Sequence, residues 1–492
     1  MVGEAVPAVT TPAASGARLT GDDIQHAVAW HAALRTLVPH AGVRAITVEA
    51  ANAGNVDDVV VAKQAGPSEY VQVKATVTAE RPATIGWLSQ RTPSGGSSIF
   101  ERFHRAGQDL RQDGVHPQLA LVTNRSIDPN DPILRLRDRN DRLADRLRAA
   151  TNAATVVARR ALAQHLNCSD DELFELLGNL RLQTDASEAA WRDYHIRDIS
   201  YAAGVRADEA AYRLGISEVR EWVKTSRTEK QAADIAEAVN RLGIRAQDPF
   251  TVVGIKCLDE ELALPDAGVV LDWVERFRGT EARNRRGLKD PAEWESVLRP
   301  DLVQAQRRLR SIGASRVLIT GTMRLPTWFA AAVMFQETAG FTPAKIKDGQ
   351  LWVKPSGPIA PAQILLSQPL ADLPHGADVG IALAVSADPT ADAKRYLAAV
   401  GLNMPLVTVQ LPAGISNASI AGCDHAYAVA LAIRDLAREI ARTVNPRVLH
   451  LFMAAPAGLA VLLGGLWDRV PTTQTYEDLS GDGYEPAFVI PN

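Results

Sequence analysis

Two short stretches near the start of the chain, VDDVVV (residues 56–61) and YVQVKAT (residues 70–76), decide the fold of its first part. Both are rich in β-branched residues and about six residues long, which predicts two β-strands. Because side chains alternate along a strand, Gln72 and Lys74 share one face of the second strand. Asp57 and Asp58 open the first strand. Acidic, amide and lysine side chains on adjacent strands are typical of metal-dependent phosphodiester hydrolysis, so the pattern predicts a site of that kind.

Each residue of this pattern has a candidate role. Asp58 directly precedes the apolar strand and is the first choice as a metal ligand, with Asp57 as the alternate. The expected cofactor is Mg²⁺ or Mn²⁺, since such ions bind carboxylate and carbonyl oxygens and retain several waters. Gln72 could offer its amide oxygen to the metal or orient a water. Lys74 could stabilise developing negative charge or position the attacking water.

Two further residues are candidates for the same site. Glu49, at the end of the predicted strand RAITVEA (residues 44–50), is a candidate metal ligand, and Gln25 on a predicted helix could cap the site. The spacing alone leaves a structural interpretation open. Asp-Asp before a strand often forms a turn, and a lysine two positions after a glutamine is common on half-exposed strands.

Composition limits the classes of protein that fit. The chain has 492 residues, 46% hydrophobic and 22% charged, and a net charge of −4. This composition indicates a globular protein with a real core, and the length suggests about three domains. The charge excludes a globally basic nucleic-acid binder, so DNA contacts must come from local basic patches. Three distant cysteines, without a CxxC pair, argue against a zinc finger or disulfide framework and favour a reducing cytoplasm.

No segment favours a membrane association. Residues 1–19 lack a basic start followed by an apolar run, so they are expected to be a disordered lead-in. The most apolar run, LHLFMAAPAGLAVLLGGLW (residues 449–467), contains His450 and Pro456. A buried strand followed by a helix is favoured there over a membrane span.

The chain divides by pattern into an α/β part and a helical part before residue 250. A helix is predicted at residues 21–37, then strands and loops to residue 121 with a helix near residues 99–110, which defines an α/β core over residues 20–130. Residues 131–245 show helical spacing and are predicted to be a helical extension. Arginines 135, 137, 139 and 142 there could contact a DNA backbone, although a solvated helix face is the favoured interpretation.

From residue 250 onward, apolar strands alternate with helices. The strand candidates are TVVGIKC (residues 251–257), SRVLITG (residues 315–321), GQLWVKP (residues 349–355), DVGIALAVS (residues 378–386), PLVTVQL (residues 405–411) and RVLHLFMA (residues 447–454). This alternation predicts a doubly wound α/β fold with a buried, mostly parallel sheet, arranged as two halves.

Ligands of doubly wound sheets bind at the carboxyl ends of the strands. The candidate ligand-binding residues at those ends are Thr320, Gly321, Thr322, Arg324, Trp352, Ser386, Ala455, Pro456 and Ala457. Backbone N–H groups at a helix start suit a phosphate, Arg324 or Arg278 could pair with it, and Trp352 or Trp273 could stack on a base. Core packing is the alternative for each tryptophan, and a tight turn is the alternative for Gly321.

The first part of the chain resembles a known nuclease family. The order GDDIQHAVAWHAALRTLV (residues 21–38), ITVEA (residues 46–50), VDDVVV, YVQVKAT and LALVTN (residues 119–124) is similar to the PD-(D/E)xK nuclease core with Gln in place of the second acid. More closely, it resembles the endonuclease domain of CBASS anti-phage effectors. The resemblance implies a restriction-endonuclease-like fold and metal-dependent cleavage of double-stranded DNA.

The last part resembles a second family. The segments VLITGTMRLPTWFAAAVMF (residues 317–335), VLHLFMAAPAGLAVLLGGLWD (residues 448–468) and TQTYEDLSGDGYEPAFVI (residues 473–490) look like a SAVED domain, two fused CARF-like Rossmannoid modules spanning residues 250–492. That family binds cyclic oligonucleotides made by CBASS nucleotidyltransferases.

Together the resemblances imply a cytoplasmic bacterial anti-phage effector. In this interpretation, a cyclic di- or trinucleotide binds the SAVED domain, promotes self-association and activates the nuclease. Two alternatives stay open from the sequence. One is a catalytically inactive nucleotide sensor or sponge, and the other is a constitutive restriction-type nuclease.

Overall fold

The computed structural model describes residues 14–50, 53, 56–76, 79–92, 95–111, 114–225, 229–260 and 264–492, with the backbone alone for residues 14–20 and for residue 482. The chain forms two compact units, the first of residues up to 37 together with 42–247, and the second of residues 38–41 together with 248–492. Most of the predicted disordered lead-in lies outside the described residues, and the first helix begins at Ala14, within the predicted range.

The first unit combines six strands with ten helices among its described residues. In chain order these are α1 (Ala14–Arg35), β1 (Val43–Val48), β2 (Val59–Lys63), β3 (Glu69–Lys74), α2 (Ile85–Ser89), α3 (Ile99–Asp109), β4 (Gln118–Thr123), α4 (Ala144–Ala149), α5 (Ala153–Leu166), α6 (Asp170–Asn179), β5 (Leu180–Gln183), α7 (Glu188–Ala190), α8 (Arg197–Ala202), α9 (Glu209–Lys224), β6 (Glu229–Gln231) and α10 (Ala232–Arg241). A π-helical turn (Trp191–Ile196) joins α7 to α8.

The sheet of the first unit is mixed, in the order β5-β4-β3-β2-β1-β6. Strands β1, β2 and β3 form an antiparallel meander, and β3, β4 and β5 run parallel. The strands predicted around Asp58 and Lys74 are present. The region predicted to be a helical extension contains β5 and β6, which extend the sheet at its two edges. With four and three residues, they are too short to produce a recognisable alternation.

Helices cover both faces of this sheet. One apolar face packs against α3, α5 and α6 through a core that includes Phe100, Phe103 and Phe174. Helix α1 packs against β1, β2 and β3, and its Ile24 and Trp30 are buried. The ends of β2 and β3 that carry the predicted nuclease residues therefore belong to a sheet that is packed on both faces.

The second unit has eleven strands and five helices among its described residues. They are β7 (Thr251–Lys256), β8 (Val269–Asp272), α11 (Arg299–Ser311), β9 (Arg316–Thr322), α12 (Leu325–Met334), β10 (Thr342–Lys347), β11 (Gln350–Val353), β12 (Leu365–Leu366), β13 (Val379–Ala384), α13 (Thr390–Ala399), β14 (Leu406–Gln410), α14 (Cys423–Thr443), β15 (Leu449–Ala454), α15 (Ala457–Gly465), β16 (Thr473–Asp478) and β17 (Tyr484–Ile490).

These strands form two Rossmann-like sheets with matching topology. The first has the order β11-β10-β9-β7-β8, and the second has the order β12-β14-β13-β15-β16-β17. In the first sheet, β7 has β8 on one side, and β9, β10 and the antiparallel edge strand β11 on the other. In the second sheet, β13 has β14 on one side, and β15, β16 and the antiparallel edge strand β17 on the other. The predicted mixed α/β fold with two halves is confirmed, and the strand order reverses between β7 and β9 and between β13 and β15.

The two halves share one apolar core. Helices α12 and α15, which follow equivalent strands, pack so closely that a side chain at Gly464 would overlap the backbone of Phe329. The apolar run at residues 449–467 forms β15 and α15, as predicted. None of the helices in the described ranges has the length and apolar character needed to cross a membrane.

Candidate functional site

The nuclease-type residues meet where β2 begins and β3 ends. The antiparallel register pairs Val59 with Val71, which sets Asp58 opposite Gln72. One carboxylate oxygen of Asp58, Oδ2, accepts a hydrogen bond from the backbone N–H of Val73 at 2.6 Å and another from the Gln72 amide nitrogen. Gln72 is buried, so this contact fixes the orientation of both side chains.

The direction of that hydrogen bond decides what each group can still bind. A carboxylate only accepts hydrogen bonds, so the Gln72 amide must turn its nitrogen toward Asp58 and its oxygen away. Within the described ranges, the other Asp58 oxygen, Oδ1, has no hydrogen bond from a neighbouring group. One carboxylate oxygen and one amide oxygen are thus left as ligands on adjacent strands.

Lys74 lies beside these groups, two residues after Gln72. Burial lowers the pKa of its ammonium, the nearby Arg102 lowers it further, and the Asp58 and Asp57 charges oppose the shift. Burial also raises the pKa of Asp58, against the hydrogen bond from Val73 and the charge of Lys74. In the part of the chain that the structure describes, Lys74 makes no hydrogen bond or ion pair, and the opposite charges that act on it are those of Asp58 and Asp57.

Neighbouring elements hold the ends of these strands in place. Asn124, in the predicted LALVTN stretch, accepts from the N–H of Thr76 at 3.0 Å and donates to its carbonyl at 2.6 Å, which ties the end of β3 to β4. Helix α3 begins with a capping box formed by Ser98 and Glu101. Its first turn carries Arg102, a cation near the site that no sequence pattern indicated.

Glu49 and Gln25 are placed differently from the prediction. Glu49 has a left-handed backbone conformation (φ 52°) and an exposed side chain. Its carboxylate lies 3.5 Å from the Gln25 amide nitrogen, so these two residues contact each other at the margin of the site. Asp57 is half-buried, and its charge acts on both Asp58 and Lys74.

These residues fit a cation that keeps much of its water. The described residues contain no group of three or more His, Cys, Asp or Glu side chains able to hold a metal ion. Glu49, Asp57 and Asp58 therefore do not form a metal site in which all three carboxylates are ligands. Mg²⁺ requires only one or two carboxylates and retains several waters, so Asp58 and Gln72 suit it better than they suit Zn²⁺ or Ca²⁺.

The arginines predicted as DNA contacts are partly engaged within the chain. Arg137 donates to the Leu182 carbonyl at 2.7 Å and pairs with Asp141 at 3.3 Å. Its guanidinium therefore joins the loop before α4 to β5, and a structural role accounts for it.

In the second unit, Thr320, Gly321 and Thr322 are the last residues of β9, paired with the end of β7. Gly321 has a φ of 130°, and a side chain there would overlap the Ile255 carbonyl, so only glycine fits. The Thr322 hydroxyl accepts from the N–H of Asp259 at 2.8 Å, which fixes the loop after β7.

Ser386 and residues 455–457 lie at the reversal point of the second sheet. The N–H of Ser386 donates to the Ala454 carbonyl at 2.9 Å, which places it beside the end of β15. Pro456 is the N-cap of α15, followed by Ala457 as its first residue. The predicted residues therefore form two groups, one at the reversal point of each sheet.

Trp352 is an exception and belongs to the core. Only 4% of it is exposed, and its ring packs directly against the backbone of Gly458 on α15. The predicted stacking of a ligand base on Trp352 is incompatible with this burial. The alternative of core packing explains its position.

Arg324 lies between β9 and α12 and faces a residue that sequence reasoning missed. One of its terminal nitrogens, Nη2, donates to the Arg285 carbonyl at 3.2 Å, and its Nε is 3.8 Å from a carboxylate oxygen of Glu477 on β16. The signal for Glu477 was its place in the Tyr-Glu pair of the segment TQTYED. The adjacent Tyr476 hydroxyl lies 2.6 Å from His450 Nδ1, so the two segments of the SAVED resemblance meet between β15 and β16.

Comparison with protein families identifies one part of the chain. Residues 301–490 match the family described as SAVED, the SMODS-associated and fused to various effectors sensor domain. No curated protein matches the chain.

Solved structures of Cap4 SAVED/CARF-domain containing receptors also match. That of Acinetobacter baumannii with the cyclic trinucleotide 2'3'3'-cAAA is 14% identical, with 96% of this chain and 99% of that chain covered and a TM-score of 0.45. The same receptor with 3'3'3'-cAAA is 14% identical, with 94% and 97% covered and a TM-score of 0.44. The receptor of Moraxella osloensis is 15% identical, with 95% and 99% covered and a TM-score of 0.42. The match assigns a SAVED domain to residues 301–490, which include the whole second sheet and strands β9, β10 and β11 of the first.

Proposed function

We propose that the protein is an anti-phage effector of the CBASS type, a Mg²⁺-dependent endonuclease that degrades double-stranded DNA once a cyclic oligonucleotide binds its SAVED domain. The observation that carries the proposal is the Asp58–Gln72–Lys74 arrangement in a chain that also contains a SAVED sensor domain. The antiparallel meander followed by a parallel strand supports a restriction-endonuclease-like core.

The proposed chemistry assigns one task to each side chain. Asp58 Oδ1 and the Gln72 amide oxygen hold the cation, which when bound neutralises phosphate charge and favours ionisation of a water. Lys74 stabilises the negative charge that develops on the phosphate oxygens during hydrolysis. The hydrogen bond from Val73 to Asp58 keeps the carboxylate oriented and favours its charged form.

The sensor half of the proposal concerns the reversal points of the two sheets. Ligands of doubly wound sheets bind at such points, and the helix start at Pro456 presents backbone N–H groups that suit a phosphate. Ligand binding can activate the nuclease only if the ligand binds the active state more tightly. Self-association would join several weak DNA sites and raise their effective concentration, which suits a protein with a net charge of −4.

Degradation of supercoiled plasmid in Mg²⁺ tests the proposal, with and without a panel of cyclic di- and trinucleotides that includes both cAAA isomers. We expect degradation with one ligand of the panel and sedimentation of a larger species with the same ligand. Degradation without ligand would favour the constitutive nuclease. Tight nucleotide binding without degradation would favour the sensor or sponge.

A further inference from the structure

Two glutamates that face each other on neighbouring strands have opposite surroundings. Glu477 on β16 is paired with Glu485 on β17, and the two are 1% and 6% exposed. Glu485 accepts three hydrogen bonds, from Trp294 Nε1 at 2.9 Å, from the N–H of Leu288 at 3.1 Å and from Arg278 at 2.6 Å. Neither oxygen of Glu477 has a hydrogen-bond partner among the described residues. Glu485 is therefore a structural anchor, and Glu477 is not.

A buried carboxylate without donors is costly, so such a group takes up a proton. Burial raises the pKa of Glu477 to about 8, Asp478 and Glu485 add to the shift, and Arg324 and Arg286 oppose it. The ionisable groups that face Glu477 are Arg324, Arg286, Asp478, Glu485 and the buried thiol of Cys257. With a pKa of about 8, Glu477 is mainly protonated at neutral pH and lies next to a cation.

Part of the Arg324 side chain remains accessible to solvent, although its Nη2 donates to the Arg285 carbonyl. Its side chain is 25% exposed, and its Nε is too far from Glu477, at 3.8 Å, for a hydrogen bond. It precedes the ten-residue helix α12, whose N-terminus adds positive potential at the reversal point of the first sheet. Because Glu477 is mainly protonated at neutral pH, its carboxyl group does not neutralise the charge of the Arg324 guanidinium.

We infer that Arg324 binds a phosphate group of the ligand, and that Glu477, buried behind it, is the positioning residue that sets how much of the Arg324 charge the ligand meets. This inference rests on the proposed sensing function and identifies a subsite within it. An anion at Arg324 favours protonated Glu477, and by reciprocity ionised Glu477 weakens anion binding. Binding is therefore strongest below pH 8 and weakens as the pH rises above it.

Titration calorimetry of the full chain at pH 7.0 and pH 9.5 tests this inference with two probes. The first is sulfate, a tetrahedral anion with constant charge over that range, and the second is 2'3'3'-cAAA. We expect sulfate affinity of the unmodified protein to fall about tenfold at the higher pH. Glu477→Gln should give a flat profile, and Arg324→Ala should lose sulfate binding at both pH values. Glu439→Gln, which removes an exposed glutamate on α14, should keep the unmodified profile.

The possible results separate the inference from the proposed function. No sulfate binding to the unmodified protein, or the same pH profile in the unmodified protein and Glu477→Gln, would overturn the inference. If all cyclic nucleotides of the panel fail to bind while sulfate binding follows Glu477, the subsite stands and the proposed function falls. The pH dependence of sulfate affinity is measured on the unmodified protein and does not depend on the folding of any variant. If Glu477→Gln does not fold, Glu477→Met serves as a second uncharged variant.

Discussion

Asp58 in the first unit and Glu477 in the second are both shielded carboxyl groups with a cation nearby, and the chain surrounds them differently. Asp58 receives two hydrogen bonds on one oxygen and has Lys74 beside it. Glu477 has no described donor, and Arg324 stays beyond hydrogen-bond distance. Burial raises the pKa of both groups, but hydrogen bonds from Val73 and Gln72 oppose the shift at Asp58, and no hydrogen bond opposes it at Glu477. The difference shows that hydrogen-bond donors moderate the effect of burial on a carboxyl group.

The largest expected effect is on DNA cleavage when the ammonium group of Lys74, beside Asp58, is removed. Lys74→Ala should slow plasmid degradation about 100- to 1,000-fold, because charge on the transition state then loses its nearest stabilising group. Nucleotide binding, measured by calorimetry, should be unchanged. Lys63→Ala, at the opposite end of the same pair of strands, is the matched control and should cleave normally. Full cleavage by Lys74→Ala would show that the site is wrongly assigned.

The next effect sharpens the contrast between the two paired glutamates. Glu485→Ala should destabilise the protein by about 3 kcal/mol, since it leaves Arg278 and the Trp294 N–H without their buried partner. Urea unfolding at pH 7 measures this change. A loss below about 1 kcal/mol would mean that Glu485 is no more an anchor than Glu477.

A smaller effect concerns the pH dependence of stability at Glu477. Its folded-state pKa of about 8 is raised above the ordinary value of 4.5, so its stabilising contribution is complete below 4.5 and is lost as the pH rises through 8. The unmodified protein should therefore lose at least about 2 kcal/mol of stability relative to Glu477→Gln between pH 4.5 and pH 8.5. Urea midpoints at the two pH values provide the measurement. A constant difference would mean that folding does not raise the pKa of Glu477.

The smallest effect is expected at the margin of the nuclease site. Gln25→Ala should change the cleavage rate by no more than about threefold, because Gln25 contacts the exposed Glu49 at 3.5 Å and not Asp58. Initial rates of plasmid degradation give the comparison. A loss of cleavage rate as large as that of Lys74→Ala would show that Gln25 and Glu49 take a direct part in the nuclease site.

The sequence predicted the elements whose patterns are strong. The β-branched runs around Asp58 and Lys74 and the apolar runs that became β7, β9, β13 and β15 are visible because their side chains repeat regularly. Strands β6, β8 and β12 were missed because they have only two to four residues. Strands β10, β16 and β17 were missed because their buried positions do not alternate regularly. Strand β5 was missed because its four residues continue directly from a helix.

The sites were predictable where neighbouring strands fix the contacts. Asp58 and Gln72 could be placed together because adjacent strands set their register. Glu49 could not, since its left-handed backbone turns the side chain away from the strand pattern. The sequence left both base stacking and core packing open for Trp352, because its burial depends on Gly458, over a hundred residues later in the chain. Arg324 is the N-cap of α12 and Glu477 lies on β16, and only the folded chain brings them together.

The most direct test of the account compares activation and binding by one nucleotide. The rate of plasmid degradation in Mg²⁺ is measured as the activating cyclic nucleotide is titrated, beside its binding isotherm, for the unmodified protein and for Arg324→Ala. The account predicts negligible cleavage without nucleotide, activation at the concentration at which it binds, and a shift of both curves to higher concentration in Arg324→Ala. An equal cleavage rate with and without nucleotide would contradict it.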